Sequence, residues 1–183
     1  KLEANMALLK TVDPEGLDEF SVVFTDRSLN HMSARFRGVM TDISAMLKDV
    51  YAADAVALVP GGGTFAMEAV ARQFGASAHA LVVRNGWFSY RWSQIFDAGK
   101  FGSEVSVYKA RQTGNGAQTP FAPAPIEDVV AAIQDTKPDV VFAPHVETSA
   151  GLILPDDYIN AMAKAAHDVG ALMILDCIAS GCA

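Results

Sequence analysis

The sequence predicts an α/β protein of three layers, in which a mainly parallel sheet is covered by helices on both faces. Apolar segments of strand length alternate with segments of helical periodicity from residue 79 to residue 176. The strand-like segments are continuously apolar, as expected when both faces of a sheet are buried. A run of three glycines, residues 61–63, also joins an apolar segment to a helical pattern, which is typical of ligand-binding turns in this fold class.

Composition narrows the possible classes of protein. The 183 residues are 51% hydrophobic and 19% charged, which is typical of a folded globular domain, and the net charge of −7 argues against a nucleic-acid-binding or anionic-membrane surface. We expect a cytoplasmic protein, since the chain shows neither a membrane-length apolar run nor a secretory signal. The four histidines are scattered and the two cysteines, Cys177 and Cys182, lie close together, so we predict no metal site and no disulfide framework.

The elements are predicted in chain order. Residues 1–33 form an N-terminal arm and residues 34–183 the large domain. A helix is predicted for residues 34–53 because apolar residues recur at helical spacing, and its apolar face is expected to pack in the core. Residues 55–60 are expected to form the first strand, which leads through the glycines into a helix at residues 65–74.

Further strands are predicted at residues 79–84, 104–108, 139–144 and 171–176, with helices at 87–98, 126–135 and 155–169. Gly99 is expected to cap the helix that precedes it. Residues 111–125 and 145–154 are predicted to be loops. Since only a few residues follow the last strand, we expect the domain to be incomplete at its C-terminus.

Ligands of parallel sheets bind beyond the carboxyl ends of the strands. There, the amides of Gly61, Gly62 and Gly63 and the hydroxyl of Thr64 can bind a phosphate at a helix N-terminus. Asp176 ends an apolar strand, where its carboxylate is expected to meet a cation. A phosphate on the glycines, an aromatic ring from residues 87–88 and a pyridinium nitrogen facing Asp176 describe a site for pyridoxal phosphate.

Four motifs in the same order, PGGGTFAMEA, VVRNGWFSYR, HVETSAG and LMILDCIAS, resemble those of class V aminotransferases. This branch of the fold-type I pyridoxal phosphate enzymes includes the alanine-glyoxylate and serine-glyoxylate aminotransferases. The resemblance covers nearly all of the chain. It implies a homodimeric enzyme that moves an amino group from a small amino acid, of the alanine or serine type, to a 2-oxo acid such as glyoxylate or pyruvate. Desulfurases and lyases share the scaffold.

The resemblance also implies roles for individual residues. Gly62, Gly63 and Thr64 bind the cofactor phosphate, and Phe88 stacks on the ring, less strongly than the tryptophan that is common in the family. Thr148 holds the phenolic oxygen, Asp176 faces the pyridine nitrogen, and Ile178 lies under the ring. The family's Schiff-base lysine and the arginine that binds the substrate carboxylate are expected beyond residue 183.

Two alternatives remain open. Residues 61–66 also satisfy the dinucleotide pattern G-x-G-x-x-A, and Arg84 ends the next predicted strand, where it could bind the 2′-phosphate of NADP in an oxidoreductase. That hypothesis leaves the HVETSAG segment and Asp176 unexplained. The chain could instead be a cofactor-binding fragment without turnover. His145 is expected to be structural, and Glu147 to tether the backbone.

Overall fold

The computed structural model describes residues 31–181, and the chain divides into two units, residues 1–59 and 60–183. The first unit contains α1 (Ala34–Val50), which confirms the predicted helix. Ser33 caps it, because its hydroxyl accepts a hydrogen bond from the amide of Phe36 at 3.0 Å. No residue of α1 is buried, so the predicted core packing of its apolar face is not observed. Residues 1–30 of the predicted arm, and Cys182, lie outside the described residues.

The strand predicted at residues 55–60 does not form. Residues 55–59 carry no strand hydrogen bonding, and the side chains of Leu58 and Val59 are 39% and 42% exposed. An apolar segment becomes a strand only by pairing with another strand, and the described residues offer this segment none. The prediction was wrong, and the dinucleotide hypothesis loses the strand that should precede its glycine loop.

The second unit alternates helices and strands. In chain order it contains α2 (Gly63–Gly75), β1 (His79–Arg84), α3 (Trp87–Gly99), β2 (Glu104–Lys109), β3 (Arg111–Gln112), β4 (Phe121–Ala122), α4 (Ile126–Thr136), β5 (Val140–Pro144), β6 (Val146–Glu147), β7 (Leu152–Ile153), α5 (Asp156–Asp168) and β8 (Leu172–Asp176). The main sheet has the strand order β2-β1-β5-β8, and all of its pairings are parallel. The carboxyl ends of these strands therefore lie at one edge of the sheet.

Helices cover both faces of this sheet. Leu81 and Val83 of β1 pack in one core with residues of α4 and α5, whereas Ala80 and Val82 pack in a second core with residues of α2 and α3. In the second core the ring of Phe142 lies 4.5 Å from that of Trp92, centroid to centroid. Because successive residues from 80 to 83 enter opposite cores, all four are apolar. The predicted three-layer α/β fold is confirmed.

The two predicted loops contain short antiparallel hairpins, β3 with β4 and β6 with β7. The prediction that Gly99 caps the preceding helix was also wrong. Helix α3 includes Gly99, and Lys100 adopts the left-handed conformation, at φ 50°. A Cβ on Gly99 would collide with the ring of Phe101, so glycine is needed there for close packing and not for the turn. None of the helices within residues 31–181 is long and apolar enough to cross a membrane.

Candidate active site

The N-terminus of α2 is open. Gly62 precedes the helix, and no side chain caps it. Gly61 has φ 123°, and a Cβ there would collide with the ring of Phe65, whereas a Cβ on Gly62 would meet nothing within 4 Å. Gly61 is thus required by the turn itself, while Gly62 leaves free space in front of the helix. The first-turn amides and the positive end of the helix dipole make this space suitable for an anion.

A guanidinium group lies beside this terminus. Arg91, in the second turn of α3, donates a hydrogen bond from Nη1 to Oγ1 of Thr64. The contact brings a positive charge to the first turn of α2, where it adds to the field of the helix dipole. Arg91 belongs to the VVRNGWFSYR motif, but the motif itself gives no sign of this role. No local pattern shows that residues on two separate helices will meet, so only the tertiary packing identifies it.

A cavity of about 290 Å³ lies at the end of β8, and we call it the Asp176 cavity. Gly63, Asp176 and Ile178 all line it, so three of the predicted site residues lie together. Ile178 is 71% exposed, and its side chain occupies the position that a Cβ on Gly63 would need. The Asp176 carboxylate accepts a hydrogen bond from the amide of Ile178 at 3.1 Å, which turns the chain sharply after the strand.

Two observations bear on what this cavity can hold. None of the salt bridges between described residues involves Asp176, so the cation expected beside it is not a side chain of residues 31–181. Nε1 of Trp92, which also lines the cavity, is buried and lacks a hydrogen-bond partner among those residues. An acceptor and an unused donor therefore border one largely apolar space, as in many small-molecule sites.

Cys177 follows Asp176 and also lines the cavity. Burial raises the pKa of its thiol, the nearby hydroxyl of Ser180 lowers it in part, and the charge of Asp176 raises it further. The net rise keeps the thiol protonated at neutral pH. Cys177 therefore adds a neutral side chain to the wall of the cavity.

Phe88 and Thr148 lie in a second group, built around the buried carboxylate of Glu147. The amides of Phe88 and Ser89 donate to its two oxygens at 3.1 and 2.9 Å. The hydroxyls of Ser89 and Ser149 donate at 2.6 and 2.5 Å. Glu147 thus ties the start of α3 to the β6–β7 hairpin, which confirms the tethering role expected for it.

These contacts also control the ionisation of Glu147. Burial alone would raise its pKa, but the hydrogen bonds from Ser149, Ser89 and the amides of Ser89 and Phe88 together outweigh burial and lower the pKa below 4.5. The carboxylate is therefore charged in the folded protein. It places a fixed negative charge at the positive end of the α3 dipole.

The ring of Phe88 is 43% exposed and Thr148 is also exposed, but neither lines the Asp176 cavity. The backbone of His145 links the two groups, because its amide donates to the carbonyl of Asp176 and its carbonyl accepts from the amide of Leu154, both at 2.9 Å. The hairpin that carries Thr148 is therefore fixed to the end of β8. Within residues 31–181 no cluster of His, Cys, Asp and Glu side chains could hold a metal ion.

Solved structures share this fold. The ureidoglycine-glyoxylate aminotransferase of Bacillus subtilis matches 83% of the chain with a TM-score of 0.68 and 24% identity. The alanine–glyoxylate aminotransferase of Nostoc sp. matches 83% of it with a TM-score of 0.66 and 24% identity. The pyridoxamine-pyruvate aminotransferase of Mesorhizobium loti also matches 83% with a TM-score of 0.66, at 15% identity.

The chain spans little more than a third of these proteins, 37%, 38% and 36% of their lengths respectively. No family model matches the sequence. At this level of identity the likeness establishes the fold. The second unit has the three-layer α/β architecture of the corresponding part of known aminotransferases.

Proposed function

We propose that the complete protein is a pyridoxal phosphate-dependent aminotransferase. One observation carries the proposal: Gly63, Asp176 and Ile178 line one cavity beside an uncapped helix N-terminus. A phosphate would lie at the positive end of α2 and a protonated ring nitrogen at the carboxylate of Asp176. The likeness in fold to solved aminotransferases supports the same conclusion.

The residues present fit this cofactor. Free space in front of Gly62 accommodates a phosphate, which would accept hydrogen bonds from the amides of Gly63 and Thr64. Arg91, held on Thr64, would contribute a positive charge to the phosphate. We assign ring stacking to Phe88 and the hydrogen bond to the phenolic oxygen to Thr148, and we place Ile178 beneath the ring.

Bound pyridoxal phosphate would supply an electron-accepting ring that withdraws charge from the α-carbon of an amino acid. Asp176 would hold a proton on the ring nitrogen by presenting a negative charge to it, and so keep the ring positively charged. The apolar walls of the cavity would limit competing hydration of this ion pair. Asp176 would act electrostatically and would not carry a proton between substrate and solvent.

We propose a small amino acid of the alanine or serine type as amino donor, and glyoxylate or pyruvate as acceptor. The motif resemblance supports this choice, as do the glyoxylate and pyruvate in the names of the three solved structures. From the same resemblance we propose a homodimer. The lysine that would bind the cofactor covalently is expected outside residues 1–183.

The test uses the complete protein. Pyridoxal phosphate should produce a visible absorption band in the purified protein, and L-alanine or L-serine should bleach the band and release a 2-oxo acid. Asp176→Asn should lower turnover on the order of a hundredfold and leave the thermal unfolding temperature nearly unchanged, because the carboxylate makes a single described hydrogen bond.

Asp97→Asn is the matched control, since it removes an exposed carboxylate from α3 and should retain activity. Full turnover in Asp176→Asn would refute the assignment of that residue. A protein that takes up NADPH and forms no band with pyridoxal phosphate would support the oxidoreductase alternative and refute the aminotransferase.

A further inference from the structure

A second pocket lies at the same edge of the sheet, at the ends of β1 and β2. It has a volume of about 170 Å³ and is lined by Arg84, Asn85, Gly86, Lys109, Ala110 and Phe121; we call it the Arg84 pocket. It shares no lining residue with the Asp176 cavity. Nothing in the proposed transamination uses these side chains.

The pocket concentrates positive charge in an acidic protein. Arg84 and Lys109 are direct partners in the register of the parallel pair β1 and β2. Like charges at opposite positions of neighbouring strands destabilise a sheet. None of the salt bridges formed within residues 31–181 includes either residue, whereas the nearby Arg111 pairs with Asp128 at 3.0 Å. An anion between Arg84 and Lys109 would remove this repulsion.

Arg84 is oriented by an aromatic ring. Its guanidinium carbon lies 4.8 Å from the centroid of Tyr90. A guanidinium that rests on a ring keeps the N–H groups at its edge available for an oxygen acceptor. The cation is thereby held in place with its donors available.

Asn85 provides an independent observation. The residue is only 3% exposed, and neither its side-chain oxygen nor its side-chain nitrogen has a hydrogen-bond partner among the described residues. A buried amide without partners is costly, at about 1 to 3 kcal/mol. Asn85 lines the same pocket as Arg84 and Lys109, and its NH2 group is an unused donor. An oxygen acceptor in this pocket would satisfy it.

We propose that the Arg84 pocket binds a small, doubly charged oxyanion, either a phosphate group or a dicarboxylate. Two cations and one amide donor match the charge and the acceptors of such a ligand. The volume of about 170 Å³ is enough for a small anion together with water. The site is distinct from the cofactor site and does not depend on the proposed function.

Site-resolved NMR of the complete protein tests the proposal. Inorganic phosphate and succinate are titrated separately at constant ionic strength, and amide shifts are followed. Saturable shifts at Gly86, Lys109 and Ala110 are expected with at least one of the two anions, and the stronger of the two identifies the ligand class. The amides of Gly63 and Thr64 report separately on the cofactor phosphate site, so failure at one site is distinguished from failure at the other.

Lys109→Gln should weaken binding about tenfold, which corresponds to one charge-assisted hydrogen bond. Arg111→Gln is the matched control, because it removes an equal charge two residues away that is already paired with Asp128, and it should leave the affinity within about twofold. Asn85→Leu should also weaken binding while the unfolding temperature of the free protein stays equal or rises, since it removes an unsatisfied polar group.

Three results would overturn the proposal. The first is an absence of saturable shifts around the Arg84 pocket with either anion. The second is an equal loss of affinity in Arg111→Gln and Lys109→Gln, which would indicate general electrostatic attraction. The third is tight anion binding in Asn85→Leu together with a lower unfolding temperature, which would assign Asn85 a purely structural role. If Asn85→Leu does not fold, the anion affinities of Lys109→Gln and Arg111→Gln decide whether the pocket binds the anion specifically.

Discussion

The N-termini of α2 and α3 are alike in sequence but differ in whether the protein supplies an anion to their first-turn amides. Each helix follows a glycine, Gly62 or Gly86, that has no side chain with which to cap it. At α3 the buried carboxylate of Glu147 lies at the positive end of the helix dipole and accepts hydrogen bonds from first-turn amides. At α2 no side chain makes a capping hydrogen bond, and the guanidinium of Arg91 binds Thr64 in the first turn.

The difference separates a helix terminus whose amides are used in the fold from one that is open to a ligand. The amides of Phe88 and Ser89 contribute to stability because they are already satisfied, and they are not available to a ligand. The open terminus of α2 contributes less to stability and can accept an anion from solution. Glycine before a helix therefore does not by itself indicate a phosphate site, and what matters is whether the fold supplies a partner from elsewhere in the chain.

The largest loss of stability is expected when the carboxylate at the N-terminus of α3 is made neutral. Glu147→Gln should lower the free energy of unfolding by about 3 kcal/mol at neutral pH, because a neutral amide cannot accept from four donors in a buried site. Urea denaturation measures this value. A loss below about 0.5 kcal/mol would show that the carboxylate does not stabilise α3.

The same variant has a predicted pH dependence. The pKa of Glu147 is lower in the folded protein than its ordinary value of 4.5, so its ionisation stabilises the fold above that value. The contribution is lost as the pH falls from 4.5 through the folded pKa. The stability difference between the wild type and Glu147→Gln should therefore narrow below about pH 4.

The two glycines should respond differently to a methyl group. A Cβ on Gly86 would collide with Glu147 and Ser149, whereas one on Gly62 would meet nothing within 4 Å. Gly86→Ala should cost about 2 kcal/mol of unfolding free energy, and Gly62→Ala about 0.5 kcal/mol. Thermal unfolding of both variants measures the contrast. Equal losses would show that the two termini do not differ in packing.

Closing the open terminus with a charged side chain is the most direct test of its role. Gly62→Asp supplies α2 with a charged cap, so unfolding should become harder by about 1 kcal/mol. Binding of inorganic phosphate, followed at the amides of Gly63 and Thr64, should weaken about tenfold.

Gly62→Asn is the control for that experiment, because it offers a similar cap without the charge. It should weaken phosphate binding less than Gly62→Asp. Unchanged phosphate affinity in Gly62→Asp would exclude the start of α2 as the anion site.

Local pattern was enough to predict most of the second unit. The strands β1, β5 and β8 are mostly apolar and five or six residues long. In the helices between them, apolar residues recur at helical spacing, so length and period identify both kinds of element. The hairpins β3–β4 and β6–β7 have strands of two residues each. Two residues are too short to show an alternation, and both hairpins were predicted to be loops.

Features that depend on distant partners were harder to predict. Residues 55–59 have the composition of a strand but pair with no strand among residues 31–181. The contact of Arg91 with Thr64 joins two helices. The predicted site is only partly assembled around one space. Gly63, Asp176 and Ile178 meet in the Asp176 cavity. The roles given to all seven site residues stay predictions, since nothing in the fold alone tests them: Gly62, Gly63, Thr64, Phe88, Thr148, Asp176 and Ile178.

The closed terminus of α3 has an evolutionary consequence. The carboxylate of Glu147 accepts hydrogen bonds from the hydroxyls of Ser89 and Ser149. Its side chain fits beside residue 86 only because glycine has no Cβ. A change at any one of these positions alone leaves either a collision or a buried group without its partner. In related sequences the four positions should therefore co-vary as a set, although Gly86 and Ser149 are separated by more than sixty residues of chain.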